Sequence, residues 1–588
     1  MMQMTYRSRA ALATMLTLTI GVAFSFFNHQ SLARTAKEDI ATHSLVGSYL
    51  AGRFARGDND PAQAAAFYRS ALARDPNNVV LLEQTFLMEA TGGNWSDALG
   101  HAKRLVKSKP NHRTARMVLG ISNFKSRRYS EAREHFKKGG TGPIGELTSA
   151  IAQAWVRVAE GKTKLADKAL NVSRQADWAE FYLRYHRALI ADVTKRPRKA
   201  SKAYSRVYQQ DSRTLRTVLA YARHAASTGN SKLARSLLKK SIRGDADQGH
   251  PLAKDLLQKL DARDKISLIV KNPTEGMSEV FYGLGEALAG EGGVGIGLLY
   301  LQMALYLEPE QPFALAALAN AYESTNRYQE AIETYGRIPR GTPLQLSIDI
   351  RKAYNYNSLD RVDEAEKVLL TLAEKHKGDT RPLDALGNIM RSRKRYKEAI
   401  TYYDNVLALV KTPKRGDWTY FYSRGTCHER LKQWDKAEKD LLKALELYPD
   451  QPLALNYLGY SWIDQGINLK KGLKLIEKAV RLKPEDGYIV DSLGWAHFKL
   501  GNYDKAVKNL ERAVELRPED PILNDHLGDA LWQVGRHREA RFQWEQALTL
   551  KPEPDVLLTI KKKLANGLSK EKETKVLKRT DASGAMAN

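Results

Sequence analysis

Apolar and small residues recur along this chain at a fixed interval. Leu493-Gly494, Ala506, Leu510, Ala513 and Pro518 reappear 34 residues later as Leu527-Gly528, Ala540, Trp544, Ala547 and Pro552. Going backward, Leu458-Gly459, Gly472, Ile476, Ala479 and Pro484 fit with one extra residue, and Gly425, Ala437, Leu441, Ala444 and Pro449 fit without any. Within each unit the apolar positions follow helical spacing in two runs. Small residues at the Gly and Ala positions let two antiparallel helices approach closely, large apolar residues fill between them, and Pro blocks continuation of the second helix. The small residue that opens the second helix recurs at Ala64, Ala98, Ala132, Ala166, Ala200, Ala234, Gly297, Ala331, Ala365 and Ala399. These positions predict an all-α solenoid of about 14 helical hairpins, from about residue 42 to residue 554. Residues 244–277 fit the register poorly and are expected to form an irregular connection or a degenerate repeat between arrays at 34–243 and 278–554. A polar capping helix is expected over 555–577, because a stacked array needs its last apolar face covered. A disordered tail is expected at 578–588.

The period and the placement of Leu-Gly, Ala and Pro resemble the tetratricopeptide repeat (TPR). That resemblance implies a right-handed superhelix whose first helices line a concave surface. First-helix positions 2, 5, 9 and 12 form a stripe separate from the packing positions. In the last four units the stripe supplies Tyr422, Asn456, Tyr460, Asp491, Trp495, Phe498, Asp525, Asp529 and Trp532. Aromatic anchors alternating with carboxylates suit a protein partner bearing Lys, Arg or amino groups. The alternative is that Trp495 and Trp532 pack against the next unit. Some TPR proteins hold a peptide C-terminal carboxylate with Lys at position 5 and Asn at position 9. Here Asn388 is accompanied by Asp384 and Asn320 by Ala316, so that clamp is not expected. The stretches 455–462, 486–495 and 526–532 resemble Gram-negative envelope TPR proteins, among them the lipoprotein adaptor of a periplasmic carboxy-terminal processing protease. This implies an adaptor or scaffold role, with a periplasmic protease as one candidate partner.

At 588 residues the chain exceeds what one core can fill, and 43% hydrophobic and 27% charged residues are ordinary for folded protein. Arg7 and Arg9, an apolar run at 10–27 and Ser31-Leu32-Ala33 follow the three-part order of a secretory signal peptide, with cleavage expected after Ala33. The rival reading is an uncleaved inner-membrane anchor through 10–27, facing the periplasm. Either way the body is expected to be exported. Cys427 is the single cysteine, which excludes an intrachain disulfide, a thiolate zinc site and lipid attachment through an N-terminal cysteine.

Charge is segregated. Between His101 and Arg243 lie 33 Lys and Arg against 9 Asp and Glu, a balance of +24 out of +26 for the whole chain. Lys125, Arg127, Arg128, Lys195, Arg196, Arg198 and Lys199 mark this block as a candidate anion-binding patch. Like charges stacked on consecutive repeats repel, and an anionic lipid headgroup or acidic glycan would relieve that repulsion. The export signal argues against nucleic acid.

Catalytic motifs are scarce. Residues 290–295 formally satisfy GxGxxG, but no strand precedes them and register places them in a helical turn. Cys427, His428 and Glu429 are neighbours in sequence and do not face one another on a helix. The 13 histidines include no HExxH pair, and no cofactor is implied. The expected function is non-catalytic protein binding on the concave surface. A structural homo-oligomer and an accessory activator of a periplasmic protease are the alternatives.

Overall fold

The computed structural model describes residues 44–171, 177–244, 250–290 and 292–568. The signal or anchor at 1–33 and the tail at 578–588 lie outside the described residues. Thirty α-helices and one 3-10 turn, Arg415–Asp417, make up the regular structure, with no strand among the described residues. The solenoid of helical hairpins expected from the 34-residue period is present.

The hairpin of Pro521–Gln533 and His537–Thr549 shows how the repeat residues act. The Asp520 carboxylate accepts from the backbone N–H groups of Ile522 and Leu523, and Pro521 opens the helix where an N–H would have no helical partner. Gly535, at φ 84°, makes the turn. Gly528 lies so close to Trp544 that a Cβ would sit 2.4 Å from Nε1. Ala540, Trp544 and Ala547 are fully buried beside it. The helix after the last hairpin is Pro554–Asn566.

Two compact units are formed, one ending at Ala365 and the other beginning at Glu366. In the first unit, successive first helices, Val79–Thr91, Arg113–Lys125, Gly142–Ala159, Asp177–Val193 and Leu215–Ser227, stand side by side. Their inner face is occupied by a later hairpin of the same chain, Pro273–Gly290 and Val294–Leu307. Val294–Leu307 is apolar on nearly every side, and Leu298, Leu301, Met303 and Ala304 are buried to 1% exposure or less. A helix without a polar face must be enclosed. Thr148 pairs with Tyr300 at 3.1 Å, Lys125 Nζ donates to the Tyr306 carbonyl at 2.5 Å, and a Cβ on Gly276 would fall 2.3 Å from the Trp155 ring. Glu279 is fully buried there, accepting from Arg216 Nε at 2.8 Å and from the Tyr185 hydroxyl at 3.0 Å. The segment 244–277, expected as an irregular connection, contains the helix Pro251–Asp261, and Val270 beyond it is buried in the same core.

Candidate protein-binding surface

In the second unit the first helices Arg381–Ser392, Trp418–Arg430, Pro452–Asp464, Gly487–Lys499 and Pro521–Gln533 carry the stripe. Tyr422 is half-buried, 5.6 Å from Trp418 and edge-on to Tyr457 at 5.8 Å. Tyr457 donates to Glu429 at 2.9 Å, which ties two neighbouring first helices together. Asn456 is half-buried, and its Oδ1 is shielded without a hydrogen-bond partner among the described residues. Burial raises the Tyr460 hydroxyl well above its ordinary value, and the carboxylates of Asp464 and Asp491 add to the shift.

Asp491 is buried and lies 3.0 Å from His526 Nδ1. Burial alone would depress the His526 imidazole, but Asp491 reverses this and the net direction is up. His526 also stacks on Trp495 at 4.0 Å, and Trp495 stacks on Phe498 at 4.8 Å. Trp495 therefore packs within the array, as the alternative reading allowed, while its shielded Nε1 finds no partner among the described residues.

The last unit departs from the expected open stripe. Asp525 and Asp529 are buried and paired within the chain. Lys563, from Pro554–Asn566, donates to both Asp525 oxygens and to Asp529, each at 2.8 Å. Asp529 also accepts from Trp544 Nε1 at 3.0 Å. Burial, partly offset by Lys563, raises the Asp529 carboxyl to about 6. Trp532 stacks on His537 at 4.2 Å, and Gly567 passes so close that a Cβ would be 2.2 Å from its ring. The capping helix thus occupies this end of the stripe, packing Ile560 and Leu564 on the last hairpin and supplying in Lys563 the counter-charge that two buried carboxylates need.

Sequence reasoning used Asp384 and Asn388 only to exclude a carboxylate clamp and overlooked Arg391, one turn further on. The Tyr403 hydroxyl donates to Asn388 Oδ1 at 3.0 Å, and Arg391 Nε is shielded without a partner among the described residues. Burial raises Asp384 to about 6. The signal was the same stripe spacing, extended one unit backward.

The basic patch is divided. Arg196 forks onto Asp167 at 2.6 and 3.2 Å and Lys199 joins it at 2.7 Å, holding Asp167 below its usual range despite burial. Lys125 is engaged by Tyr306, 4.5 Å above its ring. Arg127, Arg128, Lys195 and Arg198 are exposed, with no ion pair among the described residues. Arg127 and Lys195 sit at turns with φ 59° and 56°.

Cys427 is buried, and burial pushes its thiol up to about 11, so at neutral pH it is a protonated, shielded group. Among the described residues no group of three or more His, Cys, Asp or Glu is placed to hold a metal. No helix among them is long and apolar enough to cross a membrane. The Gly-rich segment that mimics a nucleotide motif is the turn of the 273–307 hairpin.

This architecture defines a helical-hairpin repeat protein. Models of the tetratricopeptide repeat match residues 89–141, 314–344, 379–450 and 492–553, so the chain carries tetratricopeptide repeats. Such repeats generally act as protein-interaction scaffolds and are typically non-catalytic. A TPR repeat-containing protein of Pseudomonas aeruginosa is 28% identical over 197 residues, 32% of this chain and 31% of the relative. A BBSome complex member of Bos taurus is 32% identical over 111 residues, 19% of this chain and 20% of the relative. The matched stretches thus span about a third or less of these relatives. Among solved structures, the APC/C hetero-tetramer Cut9-Hcn1 is similar with a TM-score of 0.38 and 13% identity, covering 91% of this chain and 98% of that one.

Proposed function

We propose that the chain is a non-catalytic scaffold of the bacterial cell envelope that holds a protein partner along the inner stripe of its second unit. The supporting observation is that Arg391 Nε and Asn456 Oδ1, both on first helices and both at stripe positions, have no hydrogen-bond partner among the described residues. A shielded polar atom without a hydrogen bond is costly, and a small side-chain rotation toward the stripe would let each pair with the backbone of an extended peptide. Tyr422 and Tyr460 supply aromatic surface beside them. The Lys563-filled end of the stripe is outside this site. The export pattern in the first 33 residues supports an envelope location, and the likeness of 455–532 to envelope repeat proteins supports an adaptor role, with a periplasmic protease as candidate partner. An anionic envelope component facing Arg127, Arg128, Lys195 and Arg198 belongs to the same reading.

The test is capture of envelope proteins by wild type and by an Arg391→Glu, Asn456→Ala variant whose helix content and melting temperature match. Loss of the principal partner is expected. Retention of every partner by the folded variant would refute the assignment.

A further inference from the structure

The 273–307 hairpin does not fill the inner face of the first unit completely. Between its turn and the first repeats lies a cavity of about 540 Å³, within the range of small-molecule sites. Its wall is apolar: Leu87 and Met88 from Val79–Thr91, Met117 from Arg113–Lys125, and Leu299 and Met303 from Val294–Leu307. Methionine side chains adapt to irregular or flexible occupants.

No Asp or Glu is among the described lining residues, whereas Arg56 and Arg113 both are, and both are exposed. Arg56 donates to the neutral Gln84 side chain at 2.8 Å, and Arg113 has no ion pair among the described residues. Two guanidinium groups with no carboxylate partner among the described residues therefore line an apolar chamber. Gly292, Gly293 and Gly295 line it as well, and a Cβ on Gly295 would meet nothing within 4 Å.

We propose that this cavity binds a long-chain carboxylate, with the alkyl chain among Leu87, Met117 and Met303 and the carboxylate held by Arg56 and Arg113. Arginine matches a carboxylate with two parallel hydrogen bonds. Each added methylene buried in the chamber strengthens binding by roughly fourfold. The site is independent of the peptide stripe in the second unit.

The test is calorimetric titration of the full chain, stripped of co-purifying lipid, with palmitate, octanoate and hexadecanol. Saturable one-to-one binding of palmitate is expected, with octanoate weaker and hexadecanol weaker by about tenfold or more, because it lacks the charge that the guanidinium groups pair. Arg113→Glu should weaken palmitate by a similar factor. Gly295→Phe should abolish binding with the melting temperature unchanged, since its side chain enters open space. Absence of saturable palmitate binding by the folded wild type would overturn the proposal. So would equal affinity for palmitate and hexadecanol, or full affinity in Gly295→Phe.

Discussion

Replacing Lys563 by Met should separate charge from packing at the end of the second unit. The Lys563 side chain is 13% exposed and the Asp525 and Asp529 side chains 11% and 7%, so water screens little of the interaction. Met keeps the aliphatic stem but leaves two buried carboxylates facing each other with no cation. Breaking a buried pair by removing one partner typically costs about 3 to 5 kcal/mol, and that range is expected near pH 7.5. Because repeat arrays open locally, the measurement is hydrogen-exchange protection of Pro521–Gln533 and His537–Thr549 rather than a global midpoint. The pH dependence supplies the check. Without Lys563 the Asp529 carboxyl rises further above its unfolded value, so the folded variant binds extra protons as pH falls, and its deficit should shrink toward pH 4.5. Asp525→Asn, Asp529→Asn and Lys563→Met together should return the protection to within about 1 kcal/mol of wild type. A deficit of the same size at pH 7.5 and pH 4.5, or no deficit at all, would refute the reasoning.

Glu279→Gln should leave the Arg216 guanidinium charged and unpaired in the core, loosening the 273–307 hairpin by about 3 to 5 kcal/mol; faster exchange in Pro273–Gly290 is the measurement, and unchanged protection would contradict it. His526 carries a raised pKa because Asp491 outweighs its burial, so its contribution is complete below about pH 6.5 and is lost as pH rises through the folded value. Thermal melts of the wild type should therefore weaken as pH rises above about 6.5, and His526→Gln should remove that component of the slope.

Much of the fold was legible because the repeat is a local object. Gly528 and Ala540 are 12 residues apart, and their small size alone lets two helices meet. The same spacing located the stripe from Tyr422 to Trp532. It did not show which stripe positions stay open. Asp525 and Asp529 read as partner-facing carboxylates because their counter-ion, Lys563, lies 34 to 38 residues away on a helix outside the repeat register. Asp167 neutralises part of the basic run in the same way, across 29 to 32 residues.

The amino-acid pattern by itself therefore determined the hairpins, their number and order, and the shared face of their first helices, because each depends on contacts within about one repeat. Only the tertiary structure decided what occupies those faces. Lys125 and Tyr306 meet across 181 residues, and Thr148 and Tyr300 across 152. The absence of a polar face on 294–307 shows that this helix must be enclosed. Which helices enclose it depends on how many repeats curve before it, a sum of small rotations that no single repeat encodes.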